Sequence, residues 1–141
     1  MANQYLLPLV MASILVFATS AAAETAYDIL NENNLPRGLL PLGVSSYVHS
    51  SDGKLEVTLR RECDFFVTIA GDQYKFRFAR TIGGIVQPGS IREAYGADIQ
   101  VKFAWIGINQ VDRAGDQLKI QAQSFKLSFP VSSFSESPSC N

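Results

Sequence analysis

From residue 44 to residue 129 the chain is written largely with a period of two, broken at short intervals by turn signals, and that pattern admits little besides an antiparallel β domain. Leu55, Val57 and Leu59 alternate with Glu56, Thr58 and Arg60, and Tyr74, Phe76 and Phe78 with Lys75, Arg77 and Ala79. Ser51-Asp52-Gly53-Lys54 predicts a type I′ hairpin turn between strands at 44–50 and 54–61. Gly71-Asp72 predicts a second hairpin between 64–70 and 73–80, and Pro88-Gly89 and Arg113-Ala114-Gly115-Asp116 predict two further turns. After Gly83-Gly84 only short strands at 85–87 and 90–92 are expected. Residues 99–111, apolar on both faces around Phe103, Ala104, Trp105, Ile106 and Ile108, read as the longest strand, central or bent. Leu118, Ile120 and Ala122 occupy even positions but Phe125, Leu127 and Phe129 odd ones, which predicts a bulge or corner near Ser124-Phe125. The expected fold is mainly β: an antiparallel β-barrel or sandwich of about seven to nine strands with a short N-terminal helix.

That helix is expected at residues 24–34, with Thr25 as N-cap, Asp28 completing a capping box, and an asparagine of Asn33-Asn34 in the left-handed conformation at its end. Leu35-Pro36-Arg37-Gly38-Leu39-Leu40-Pro41-Leu42-Gly43, with two prolines and two glycines, suits neither helix nor interior strand and reads as an ordered connector with a buried side. The first 23 residues carry no charged side chain, are mostly apolar from Tyr5, and end in Ala21-Ala22-Ala23. They read as a signal peptide cleaved before Glu24, leaving one domain over 24–141; an uncleaved anchor is the rival reading, disfavoured by Pro8 and the small-residue end. No second stretch in the mature chain is long and apolar enough to span a bilayer.

Twelve basic residues against thirteen acidic give a net charge of −1, with no Lys/Arg stripe, which argues against nucleic acid as a partner. Cys63 and Cys140 are the two cysteines, and in an oxidising compartment such a pair favours a disulfide over a nucleophilic or metal-binding thiol.

No catalytic cluster stands out. His49, the single histidine, reads as a solvent-facing strand residue, and no serine sits in Gly-x-Ser-x-Gly. The carboxylates Glu56, Asp64, Asp72, Glu93, Asp98, Asp112 and Asp116 fall mostly at turns or on polar strand faces, and Gly83-Gly84 without a following lysine is no phosphate loop. No metal site or cofactor is expected. The aromatic residues Tyr74, Phe76, Phe78, Phe103 and Trp105 either fill the interior or line an apolar ligand pocket, with Lys75 and Arg77 near the polar end of the ligand.

Tyr27-Asp28-Ile29-Leu30, Leu35-Pro36-Arg37-Gly38-Leu39-Leu40-Pro41 and the ending Ser128-Phe129-Pro130-Val131-Ser132-Ser133-Phe134-Ser135-Glu136-Ser137-Pro138-Ser139-Cys140, with Cys63 and Trp105 between them, resemble the plant domain-of-unknown-function 538 family. The resemblance implies a β-barrel-like domain behind a signal peptide, a likeness to lipid-binding proteins of the bactericidal/permeability-increasing type, and an association with stress responses and trichome growth. It supplies no catalytic motif. The expected function is that of a secreted, non-enzymatic binding protein for an apolar or amphipathic, lipid-like ligand in plant growth or stress response. The alternatives are an ester hydrolase and a cell-wall protein-interaction module. The expected location is the apoplast or cell wall; endomembrane retention is the alternative, although without a KDEL-type ending it lacks a sequence reason.

Overall fold

The computed structural model of the protein describes residues 23–140, so the expected signal peptide lies, but for Ala23, outside the described residues. The helix forms as its capping box dictates: α1 (Ala26–Glu32) starts where the Thr25 hydroxyl accepts the Asp28 N–H at 3.2 Å and the Asp28 carboxylate accepts the Thr25 N–H at 2.9 Å. It ends at Asn34, at φ 59°, with the Leu35 N–H donating back to the Leu30 carbonyl at 2.9 Å. Ala26, Ile29 and Leu30 form its buried face. The connector makes one 3₁₀ turn (Arg37–Leu39) and does bury one side, with Leu35, Pro36, Gly38, Leu40 and Pro41 out of water while Leu42 stays exposed.

Eight antiparallel strands follow: β1 (Val44–His49), β2 (Lys54–Leu59), β3 (Cys63–Ile69), β4 (Asp72–Gln87), β5 (Ser90–Val101), β6 (Ala104–Ala114), β7 (Gln117–Ala122) and β8 (Phe125–Pro130). They make one sheet in the order β1-β2-β4-β5-β6-β7-β8, with β3 beside the first half of β4. β4 therefore carries two partners on one edge, β3 along 72–78 and β2 along 81–85, while β5 follows its other edge. Ladder irregularities between Phe78 and Ile85 mark where the sheet bends. The sheet is not closed into a barrel. On the side between β3 and β8 the joining is by side chains of a second 3₁₀ turn (Val131–Phe134) and its neighbours: Phe134 packs edge-on to Phe76 and Phe129 to Tyr74, with ring centroids 6.2 and 4.9 Å apart.

Inside the curve, Leu55, Val57, Leu59, Phe65, Phe76, Phe78, Ile82, Ile99, Ile106, Ile108, Leu118, Ile120 and Phe129 form one core with Ile29, Leu30, Leu35 and Phe134. Cys63 and Cys140 are disulfide-bonded.

Four local expectations are corrected. The first hairpin turn is a three-residue loop, Ser51-Asp52-Gly53, in which only Gly53 takes positive φ, rather than a type I′ turn. β4 runs unbroken through Gly83-Gly84 to Gln87, because both glycines lie under close neighbours from other strands instead of interrupting the strand. Residues 99–111 are not one strand: the chain reverses at Lys102-Phe103, both at positive φ, between the paired Val101 and Ala104. The parity change at Ser124 is likewise a reversal, not a bulge. Ala122 pairs with Phe125, Ile120 with Leu127 and Leu118 with Phe129, and cross-strand partners share a face, so both parities point inward.

Candidate ligand site

The inner-face residues converge on an apolar cavity of about 90 Å³ between the sheet and the helix-connector segment. Leu30, Leu39 and Leu40 wall it on the helix side, and Phe78, Val86, Ile91 and Ala97 on the sheet side. Among the described residues that line it, only Tyr95 carries a polar side chain. Its lining thus offers apolar contacts and almost no hydrogen-bonding groups. A cavity of this size is smaller than the ~300–1,000 Å³ of ordinary ligand pockets and admits the end of an alkyl chain or a small ring, not a whole lipid tail.

Tyr95 is placed by the lack of a side chain opposite it. It pairs with Gly83 across the β4–β5 ladder, and a Cβ at Gly83 would lie 2.5 Å from the Tyr95 hydroxyl and 2.8 Å from Cζ, so the ring covers the glycine. Its hydroxyl donates to the Glu56 carboxylate at 2.7 Å. That hydrogen bond, with burial adding to it, pushes the phenol up from 10.0 to about 12. The raised value favours the neutral phenol in the folded state. The stability it contributes is thus complete below the ordinary tyrosine pKa and disappears as pH rises through about 12. Glu56→Gln is expected to return phenolate formation at Tyr95 toward the ordinary value in an ultraviolet absorbance titration against wild type, and an unshifted curve would assign the perturbation elsewhere.

The structure divides the residues expected to bind ligand. Phe76 and Phe78 are buried, line the cavity and pack on Phe65 with centroids 5.3 and 5.2 Å away. Tyr74 is half-buried against Phe129. The alternation that turns these three inward turns Lys75 and Arg77 outward, so neither cation stands at the polar end of anything in the cavity. Arg77 instead lies over the Trp105 ring, 4.1 Å from its centroid, and its Nε donates to Asp64 at 3.3 Å. Lys75 is exposed on the same outer face. Phe103 sits at the tip of the β5–β6 hairpin, 95% exposed and away from the cavity. Leu39, Ile91, Ala94 and Ala97 line the site but carry no sequence signal that marks them, because they meet only through the bend in the sheet.

His49 is exposed on β1, and near it the neighbouring Glu24 carboxylate holds the Glu32 carboxyl above the usual range. Among the described residues there is no group of three or more metal-ligating side chains, and no helix is long and apolar enough to cross a membrane.

No curated protein and no solved structure matches the chain. Residues 26–135 match the family described as "Protein of unknown function, DUF538". That match runs from the first residue of α1 through all eight strands and the second 3₁₀ turn, and the chain belongs to the DUF538 family.

Proposed function

We propose that the chain is a secreted, non-enzymatic binding protein that takes the apolar end of a small amphipathic molecule, acting in plant growth or stress response. The observation that supports this reading most directly is the cavity itself, lined by α1, the connector and the sheet with aliphatic and aromatic carbon. An apolar guest in such a cavity gains dispersion contacts with the lining on every side it touches and leaves water in doing so. Tyr95, the lining residue with a polar side chain, is tied by its hydroxyl to Glu56 on the outer face of the sheet. The disulfide fits an oxidising compartment and hence secretion.

A homologous series of n-alkanols, followed by calorimetry, tests the reading. Affinity should rise with chain length, by about fourfold per methylene that enters the cavity, and then level off once the space is full. Ala97→Leu, which projects from β5 into the cavity beside Phe78, should abolish that binding while the protein stays folded. Wild-type protein that binds no member of the series saturably would defeat the proposal, and labelling by a serine-reactive probe would favour an ester hydrolase instead.

A further inference from the structure

The hairpins divide the sheet into two unlike ends. The turns at 52–53, 88–89 and 115–116 lie at one end, where α1 meets them: the Gly89 N–H donates to the Asn33 carbonyl at 2.7 Å and Arg113 to the Asn34 carbonyl at 3.3 Å. The turns at 70–71, 102–103 and 123–124 lie at the other, because the end of β5 pairs with the start of β4 and with β6 across the Lys102-Phe103 reversal. This second end has an apolar lip. Ile69, Tyr74, Val101 and Leu127 are half-buried there, Phe125 is 40% exposed, and Phe103 projects beyond them, 95% exposed.

Phe103 is hard to account for by folding alone. Lys102 and Phe103 are the two central residues of a two-residue hairpin loop, at φ 49° and 73°, a conformation that Asn-Gly adopts with little strain and that crowds the Cβ of lysine or phenylalanine. A ring exposed to this extent returns almost no packing for that strain. The pairing of Val101 with Ala104 holds the loop in that conformation, yet nothing in the fold calls for an exposed aromatic ring there, and an exposed apolar group on a strained loop points to function. The surrounding charge says what kind. Across 68–75, 100–105 and 121–126, Lys75, Lys102 and Lys126 stand against Asp72 alone, three positive charges against one, on a chain whose net charge is −1. All four side chains are exposed.

We propose that this end docks on an anionic bilayer surface, with Phe103 and Phe125 entering the interface and Lys102, Lys126 and Lys75 lying over the lipid head groups. The orientation places the three hairpin tips in the head-group region and leaves α1 at the far end. It is independent of the cavity and requires no ligand there.

The test is sedimentation of the full chain, as the producing cell processes it, with vesicles of equal parts phosphatidylcholine and phosphatidylserine or of phosphatidylcholine alone. Lys102→Asn combined with Phe103→Gly installs the turn that the backbone prefers, so its thermal midpoint should equal or exceed that of wild type. On anionic vesicles the same variant should bind at least about tenfold more weakly, and Lys126→Gln alone about fivefold more weakly. Added salt should weaken wild-type binding. Wild type and variants share the same N-terminus, so an apolar segment there cannot produce the difference. Anionic-vesicle binding that is absent, or equal in the double variant and wild type, overturns the proposal. So does a loss as large on phosphatidylcholine alone, or a wild-type dimer that the double variant abolishes, which would assign the tip to a second copy of the chain.

Discussion

Reducing the Cys63–Cys140 bond, or replacing both cysteines by serine, is expected to lower the thermal midpoint by roughly 15 °C, since by loop-closure entropy a bond across 77 residues contributes about 4.5 kcal/mol and each kcal/mol moves a domain of this size by about 3–5 °C. Entropy is only part of the argument. The bond joins the buried start of β3 to a C-terminal segment that has no regular structure after Phe134, and that segment holds the connector in place. The Leu42 N–H donates to the Pro138 carbonyl at 2.9 Å and the Ser137 hydroxyl to the Arg37 carbonyl at 3.1 Å. Leu39 and Leu40, on the same connector, are a wall of the cavity. Release of the tail should therefore loosen that wall before the sheet melts. Hydrogen exchange should show it as faster exchange at Leu42 in reduced protein under native conditions, with the β6–β7 amides unchanged. An unchanged midpoint on full reduction would show that the non-covalent contacts suffice to hold the tail.

Much of this frame is written locally and was legible as such. Thr25 and Asp28 announce the start of α1 because a capping box is a contact between residues three apart, and the parity of Leu55, Val57 and Leu59 announces an inner face because a strand's faces are set by its own residues. Lys102-Phe103 is not legible for the opposite reason: neither residue is one that positive φ favours, so the reversal there is imposed by the pairing of Val101 with Ala104 and of Ile99 with Ile106. Gly83-Gly84 reads as a break between strands, but the pair is glycine so that Tyr95 and Ile91 can come close, and nothing near it in the chain discloses those distant neighbours. The cavity is non-local in the same sense. The separation of Lys75 and Arg77 from Phe76 and Phe78, by contrast, was already present in their alternation: a pocket on one face of β4 cannot draw its cations from the other.

The second large effect is expected at Gly38, where alanine should cost about 3 kcal/mol, the upper part of the range for overpacking. Gly38 is buried in the 3₁₀ turn of the connector, and a Cβ there would overlap the Phe134 carbonyl and approach the Glu136 carbonyl oxygen to 2.6 Å. These are backbone atoms, so no rotamer change relieves the contact, and the segment that carries them is anchored by the packing of Phe134 and by the disulfide. Gly→Ala at an unstrained, open position does the reverse and stabilises by about 0.4–1 kcal/mol through the unfolded chain. Gly107 provides that control, with φ outside the positive region and no atom closer to a built Cβ than the Asp98 carboxylate at 3.6 Å. Denaturant unfolding of Gly38→Ala and Gly107→Ala should thus shift the midpoint in opposite directions at similar m-values. The two sides of the Gly38 contact also predict a coupling. With Cys63 and Cys140 replaced by serine the tail can move away from the connector, so Gly38→Ala should cost clearly less in that background than in the bonded protein. Equal costs in the two backgrounds would show that Phe134, seated between Phe76 and Phe129, fixes the carbonyls facing Gly38 without help from the disulfide.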